Sequence, residues 1–433
     1  MIEMKDSGIE WIGVIPAHWE VKRLKDVSIL YSGLTGKAGE DFSPEPEDGL
    51  KPYIPFTNVL NNREIDPNTV NYVRIDKGEE QNLVNKDDLI FLMSSEDYDS
   101  IAKSAVVTSN VGEVYLNSFC RGLHITKKSI LPKFLNYLLL ASSCRDALRF
   151  EARGFTRINI KIDKIASHFI FYPPIKEQQA IADYLDKKTA EIDEQITALE
   201  KKSDAYQRLK RSLISEGVTR GLNPTAELKD SGIEWIGEIP EHWEIDRVKS
   251  FAKTIKGKSC DYLSDPTTDC YQVLSVESLR QDECQFYDYV KVDDDSQICS
   301  PDDIVVIWDG AGVGEFLRAK NGALSSTIAK VKFTSKKVLP KYFWYWRYKI
   351  EYRLKSIPTG MGIPHLNPNL LNNYKIAIPP LVEQQAIADY LDKKTAEIDS
   401  NISAISSKID AYKRLKQSLI DEVVTGKRRI EKA

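Results

Sequence analysis

Two stretches of this chain carry a narrow stripe at alternating spacings of three and four, the mark of a long helix that buries one seam. The first stripe is Ala182, Leu185, Thr189, Ile192, Ile196, Leu199, Ser203, Tyr206, Lys210 and Leu213. The second is Ala388, Leu391, Thr395, Ile398, Ile402, Ile405, Ile409, Tyr412, Lys416 and Leu419. A Pro-Pro pair precedes each, and no Gly or Pro interrupts the first until Gly217, so the pattern predicts a helix from about Lys176. Roughly 40 residues make a helix about 60 Å long, which needs a partner of similar length. Each stretch is the obvious partner of the other. Both run from an acidic start (Glu177, Asp183, Asp186; Glu383, Asp389, Asp392) to a basic end (Lys201, Lys202, Arg208; Lys413, Arg414, Lys416). An antiparallel pair sets acidic starts against basic ends, although the same polarity also suits each helix dipole. The expectation is an antiparallel two-helix coiled coil, with Leu185, Ile192, Ile196, Leu199 and Tyr206 facing Leu391, Ile398, Ile402, Ile405 and Tyr412.

Ahead of each helix the pattern changes to short β-rich runs broken by Gly, Pro, Asn and Asp. Expected strands are Tyr53–Phe56, Leu89–Met93 and Ala105–Val107, then Tyr271–Leu274, Ile304–Trp308 and Ile328–Val331. Each block also holds a helical stretch, Pro132–Leu139 and Pro340–Trp346. The fold class that follows is α+β.

The sequence is written twice. Lys5 to Gly13 recurs unchanged as Lys229 to Gly237, and His18-Trp19-Glu20 as His242-Trp243-Glu244, at an offset of 224. Gln178 to Asp193 recurs identically as Gln384 to Asp399, at an offset of 206. The stretch between these frames is therefore 18 residues shorter in the second copy, and its sequence has diverged. Near-identical frames around unlike inserts suggest one scaffold presenting two different surfaces, related by a pseudo-two-fold repeat. Drift after duplication is the plainer alternative, but drift should have blurred the frames as well.

Composition adds exclusions. The apolar fraction of 42% and charged fraction of 29% are those of a globular protein. No membrane-length apolar run or secretory leader is evident, and the chain reads as cytoplasmic. The six cysteines (Cys120, Cys144, Cys260, Cys270, Cys284, Cys299) show no metal-ligand spacing, so no metal is expected. A net charge of −4 gives no global sign of nucleic acid, but only the local footprint has to be positive.

Within the inserts, one polar segment has suitable chemistry. Arg153-Gly154-Phe155-Thr156-Arg157-Ile158-Asn159-Ile160-Lys161 aligns with Thr359-Gly360-Met361-Gly362-Ile363-Pro364-His365-Leu366-Asn367. Arg, Asn, His and Thr carry the donors and acceptors that read base edges or hold phosphates. The contact candidates are Arg153, Thr156, Arg157, Asn159 and Lys161, then Thr359, Met361, His365 and Asn367, with Arg121 and Arg318 beside them. An ordinary solvated loop is the alternative.

No site for catalysis emerges. Gly257-Lys258-Ser259 resembles the end of a P-loop, but Ala252 stands where its first Gly belongs. The Pro-Pro pairs lack the polar residue and aromatic of an adenine-methyltransferase motif. Gly310-Ala311-Gly312-Val313-Gly314 departs from nucleotide-loop spacing. His18 and His242 repeat with Trp19 and Trp243 but have no nucleophile or second ligand near them in sequence, so docking or packing is the better reading for them.

The doubled Trp-Ile-Gly-x-Ile-Pro-x-His-Trp-Glu (Trp11 to Glu20, Trp235 to Glu244) and Pro-Pro-x-x-Glu-Gln-Gln-x-Ile-Ala-x-Tyr-Leu-Asp (Pro173 to Asp186, Pro379 to Asp392) resemble type I restriction–modification specificity subunits. The resemblance spans nearly the whole chain. It implies a first target-recognition domain with its frame in 1–174, a long helix in 175–222, a second recognition domain in 223–380 and a C-terminal helix with a basic tail in 381–433. It also implies a non-catalytic reader of bipartite double-stranded DNA that docks two methyltransferase subunits and restriction subunits, where S-adenosylmethionine, ATP and Mg would bind. Trp11, His18, Trp19, Trp235, His242 and Trp243 are the docking candidates. A structural adaptor and a divergent DNA-modifying enzyme are the alternatives.

Overall fold

The computed structural model describes residues 3–259, 262–268, 270–281, 288–292, 297–356 and 364–430. The chain forms two compact units, Met1–Leu199 with Ser407–Ala433, and Glu200–Ser406. The long helices were expected to stand as domains of their own; instead each is shared, its beginning packed in one unit and its end in the other.

In the first unit, Leu89–Leu92 lies inside a four-stranded sheet in the order Ser104–Val106, Leu89–Leu92, Cys120–Ile125, Ser28–Ser32. All four residues of Leu-Ile-Phe-Leu are buried. Alternation sends Leu89 and Phe91 into the core that holds Trp19 and Phe134, while Ile90 and Leu92 join Val59 and Leu116 on the other face. A second sheet runs Tyr115–Leu116, Leu50–Ile54, Asn71–Arg74, Phe42–Ser43. The strand expected over Tyr53–Phe56 runs instead from Leu50 to Ile54, and Pro55 stands as the N-cap of the helix Phe56–Asn61.

The second unit repeats the plan with other residues. Its main sheet runs Ala252–Lys256, Ile328–Phe333, Ile304–Ile307, Phe316–Arg318, and Ile304 and Val306 face one core while Val305 faces another. The helix expected at Pro340–Trp346 extends to Ser356. Each frame forms a short hairpin (Met4–Asp6 with Val14–Pro16; Leu228–Asp230 with Glu238–Pro240). Each then supplies a strand that pairs with the one leading into the long helix: Glu20–Arg23 with Phe169–Tyr172, and Glu244–Arg247 with Lys375–Ile378.

The long helices are Ile175–Arg220, 46 residues, and Leu381–Val424, 44 residues. The first passes through Gly217, where a Cβ would stand 3.2 Å from Leu391, so the small residue admits a close helix crossing. Within each unit the paired segments run antiparallel. Lys416 reaches Asp193 at 2.6 Å in the first unit, and Lys210 reaches Asp399 at 2.6 Å in the second. These are the same two repeat positions with roles exchanged, as a two-fold repeat requires. Leu185, Ile192, Ile196, Leu391, Ile398 and Ile405 are buried, and Leu199, Tyr206, Ile402 and Tyr412 half-buried, so the seam residues read from periodicity all turn inward. The ion pairs themselves are worth little, because water screens them. Lys416→Glu is expected to cost less than about 1 kcal/mol, and a double-mutant cycle with Asp193→Lys in urea titrations should return a coupling of a few tenths.

Candidate nucleic-acid interface

The duplicated motifs turn out to be joints. Glu177, in the first turn of the first long helix, accepts the Trp19 indole N–H at 3.2 Å and bonds His18 Nε2 at 2.8 Å. Glu383 repeats this with Trp243 at 3.0 Å and His242 at 2.6 Å. A carboxylate there also suits the helix dipole. The next residue, Gln178, is fully buried; its Oε1 accepts from Leu131 N–H, and its Nε2 donates to the Ser129 and Pro173 carbonyls. Gln384 does the same with Leu339, Lys337 and Pro379. One Glu-Gln pair thus fixes the frame and the recognition block to one helix start, which explains why both copies keep it.

This corrects part of the docking set. Trp19 and Trp243 are core side chains, 1% and 0% exposed, and cannot meet a partner. Trp11 is half-buried and stacks on His168 with ring centroids 5.0 Å apart. Trp235 is the open member, 47% exposed, lining a groove of about 660 Å³ with Ile214, Tyr348, Tyr352 and Tyr374.

Most of the contact set in the first unit gathers on one surface. Arg153 and Asn159 exchange backbone hydrogen bonds at 2.9 and 2.8 Å, closing a tight hairpin. Its root is anchored by buried Ile158 and Ile160, and Ile158-Asn159 pairs with Ser94-Ser95. Arg153, Thr156, Arg157, Asn159 and Lys161 are all exposed. Arg121, distant in sequence, joins Asn159 and Lys161 around a depression of about 460 Å³ that also holds Ser118, Phe119 and Asp163. The Arg121 guanidinium donates to the Ser118 and Cys120 carbonyls. The Arg157 guanidinium lies 4.4 Å from the centre of the Phe119 ring, a stacking that holds a long cation in place. Phe119 and Phe56 themselves meet edge to face. Chemically this is a cationic surface with fixed donors and exposed aromatic faces. Sequence reasoning missed the aromatics, although Phe155 inside Arg-Gly-Phe-Thr-Arg was a legible signal.

The second unit is less uniform. Thr359 and Met361 lie outside the described residues. His365 Nδ1 bonds Asp309 at 2.6 Å, and Asp309 also holds Lys256 at 2.7 Å. Burial pushes the Asp309 carboxyl up, but the bonds from Lys256 and His365 outweigh it and hold the group below its usual range. Asn367 is a helix cap whose side chain accepts from Asn369 N–H at 3.0 Å, so its proposed contact role gives way to a local structural one. Arg318 sits half-buried, its guanidinium 4.3 Å from the Trp344 ring and bonded to the Asp302 carbonyl. It belongs to the packing around Trp344 and Arg347 rather than to the His365 cluster. Among the described residues no group of His, Cys, Asp and Glu could hold a metal ion.

A second set of contacts ties each recognition block to its helix. Tyr137 donates to Asp186 at 2.7 Å, beside Lys133 and Arg63 on the same carboxylate. Tyr345 donates to the equivalent Asp392, which Lys341 also meets.

The model of the type I restriction modification DNA specificity domain matches residues 16–201 and again 240–410. The chain is 25% identical to a putative type I restriction enzyme specificity subunit of Methanocaldococcus jannaschii, MjaX, over 97% of this chain and 96% of that one. To the MjaVIII specificity subunit of the same organism it is 34% identical, over 43% of each. A chain solved in a study of assembly and conformational transition of the type I R-M system superposes with a TM-score of 0.69 at 16% identity, covering 96% and 99%. The HsdS subunit of Thermoanaerobacter tengcongensis gives 0.51 at 16%, covering 96% and 98%. The fold is that of a tandem DNA-specificity protein. The chain belongs to the type I restriction–modification specificity-subunit family, which is non-catalytic, and carries two recognition domains.

Proposed function

We propose that the first unit reads one half of a bipartite DNA target through the hairpin 153–159 and the adjoining Arg121 and Lys161, and that the second unit reads the other half around His365. The observation that carries this reading is the meeting of Arg121 with Asn159 and Lys161, which lie far from it in sequence, around one surface depression beside an arginine held on an aromatic ring. Phosphate contacts from the cations would position the duplex, and Asn159, Arg157 and Thr156 would address base edges. The chain would dock two methyltransferase subunits and restriction subunits in the cytoplasm. Methyl transfer, with S-adenosylmethionine, and ATP- and Mg-dependent cleavage would belong to those partners. Trp235 and its groove, with the exposed His18 and His242 and the half-buried Trp11, are the docking positions that remain open enough for this.

The test is a map of methylated adenines in cells that express the chain with its methyltransferase partner. Wild type should give an asymmetric two-part motif. Arg157→Ala with Asn159→Ala should relax or abolish the first part and leave the second intact, each lost base contact costing about 1–3 kcal/mol of discrimination. A single contiguous motif, or a motif unmoved by the double substitution, would overturn the assignment.

A further inference from the structure

The hairpin 153–159 presents one side chain that neither its fold nor its charge explains. Phe155 is completely exposed, at 103% relative accessibility. Covering a large apolar ring that stands in water is favourable. Its backbone is held from several sides. Two Arg153–Asn159 backbone bonds close the loop, Tyr98 Oη donates to the Gly154 carbonyl at 3.4 Å, and Asn159 Nδ2 donates to the Arg157 carbonyl at 3.1 Å. At Gly154 a Cβ would stand 2.0 Å from the Arg157 carbonyl oxygen, so the turn closes more tightly than any other residue allows. The ring is therefore carried at the tip of a narrow, braced finger. Arg153 and Arg157 flank it in sequence and are exposed with it.

We propose that Phe155 is a stacking wedge, entering the DNA at one base step of the half-site read by the first unit while Arg153 holds a flanking phosphate and Arg157 addresses a neighbouring base edge. The inference rests on the DNA-reading assignment above and adds deformation of the duplex to it. Two cations beside one apolar tip favour a polyanion with flat apolar faces inside it over an apolar protein surface. Wedges of this kind unstack a step and kink the helix, which lets sequence-dependent stacking contribute to specificity.

The experiment uses the full chain with its methyltransferase partner and duplexes containing the mapped target, with 2-aminopurine placed at successive positions of the first half-site. Wild type should raise the fluorescence at one step. Phe155→Ala should abolish that rise and weaken binding about tenfold, the loss typical of one aromatic–base stack. Phe155→Trp should restore both. Because the ring is fully exposed, these substitutions should leave the melting temperature unchanged. A Phe155→Ala protein that binds and unstacks like wild type would overturn the wedge, while the Arg157 and Asn159 substitutions test the reading surface separately. Loss of co-purification with the methyltransferase, with DNA fluorescence unmoved, would overturn it too and make Phe155 a protein contact.

Discussion

Trp243→Ala should cost about 3–5 kcal/mol, the range for removing a buried tryptophan. The side chain is fully buried in the core of the second unit, among Val248, Phe251 and Tyr342. Its indole N–H is a bond donor to Glu383, which would keep only His242. It also supports the end of the first long helix. Gly221, in the left-handed conformation just past that helix, lies so close that a Cβ would meet the indole at 2.9 Å. Removing the ring thus opens a cavity, weakens a helix start and loosens a helix end together. Trp243→Phe, which keeps most of the volume and loses the N–H, should cost about 1–1.5 kcal/mol for the bond plus whatever packing is lost. Hydrogen exchange followed by peptide is the measurement. Protection should fall first in Val248–Ser250, Ala252–Lys256 and Lys375–Ile378. Trp19→Ala should produce the equivalent loss in the first unit, around Leu24–Asp26 and Phe169–Tyr172. Unchanged protection in both variants would mean that the repeated frame is not a joint.

What could be read in the sequence follows from which forces are periodic. The seam of Leu185, Ile192, Ile196, Leu391, Ile398 and Ile405 was legible because burial on a helix repeats at fixed spacing. The strands Leu89–Leu92 and Ile304–Ile307 were legible as continuous apolar runs. The role of Trp19 was not, since a conspicuous repeated tryptophan looks the same whether it faces a partner or fills a core. Its partner Glu177 lies 158 residues away along the chain. Asn367 had a suitable side chain for a base contact, but its backbone places it before a short helix, and local capping won. Arg318 is a contact candidate by residue type, but it is half-buried and stacked on Trp344. The gathering of Arg121 with Asn159 and Lys161 needed the sheet register, because Cys120–Ile125 lies beside Leu89–Leu92, and the chain just beyond that strand, at Ser94-Ser95, pairs with the hairpin.

The first unit should lose stability on mild acidification through one histidine. His168 is buried beneath Trp11, and its Nε2 has no hydrogen-bond partner among the described residues. Burial pushes its pKa down from 6.5 to about 4. The sign follows from proton counting: between these two values the unfolded chain takes up a proton that the folded unit refuses. The stabilising contribution is therefore complete above about pH 6.5, drains away as pH falls, and is exhausted below about pH 4. A depression of this size corresponds to about 3 kcal/mol. Carboxylates held low, such as Glu79 with its bond from Lys37, add their own acid sensitivity, in a window beginning nearer pH 4.5. His168→Phe separates the two. It keeps an aromatic ring against Trp11 and removes the titrating group, much as the second unit places Tyr374 beside Trp235. Urea titrations at pH 7.5, 6 and 5 should show wild type weakening steadily while the variant holds nearly level. Parallel slopes for the two proteins would show that His168 protonates as readily folded as unfolded, and that the core beneath Trp11 admits water.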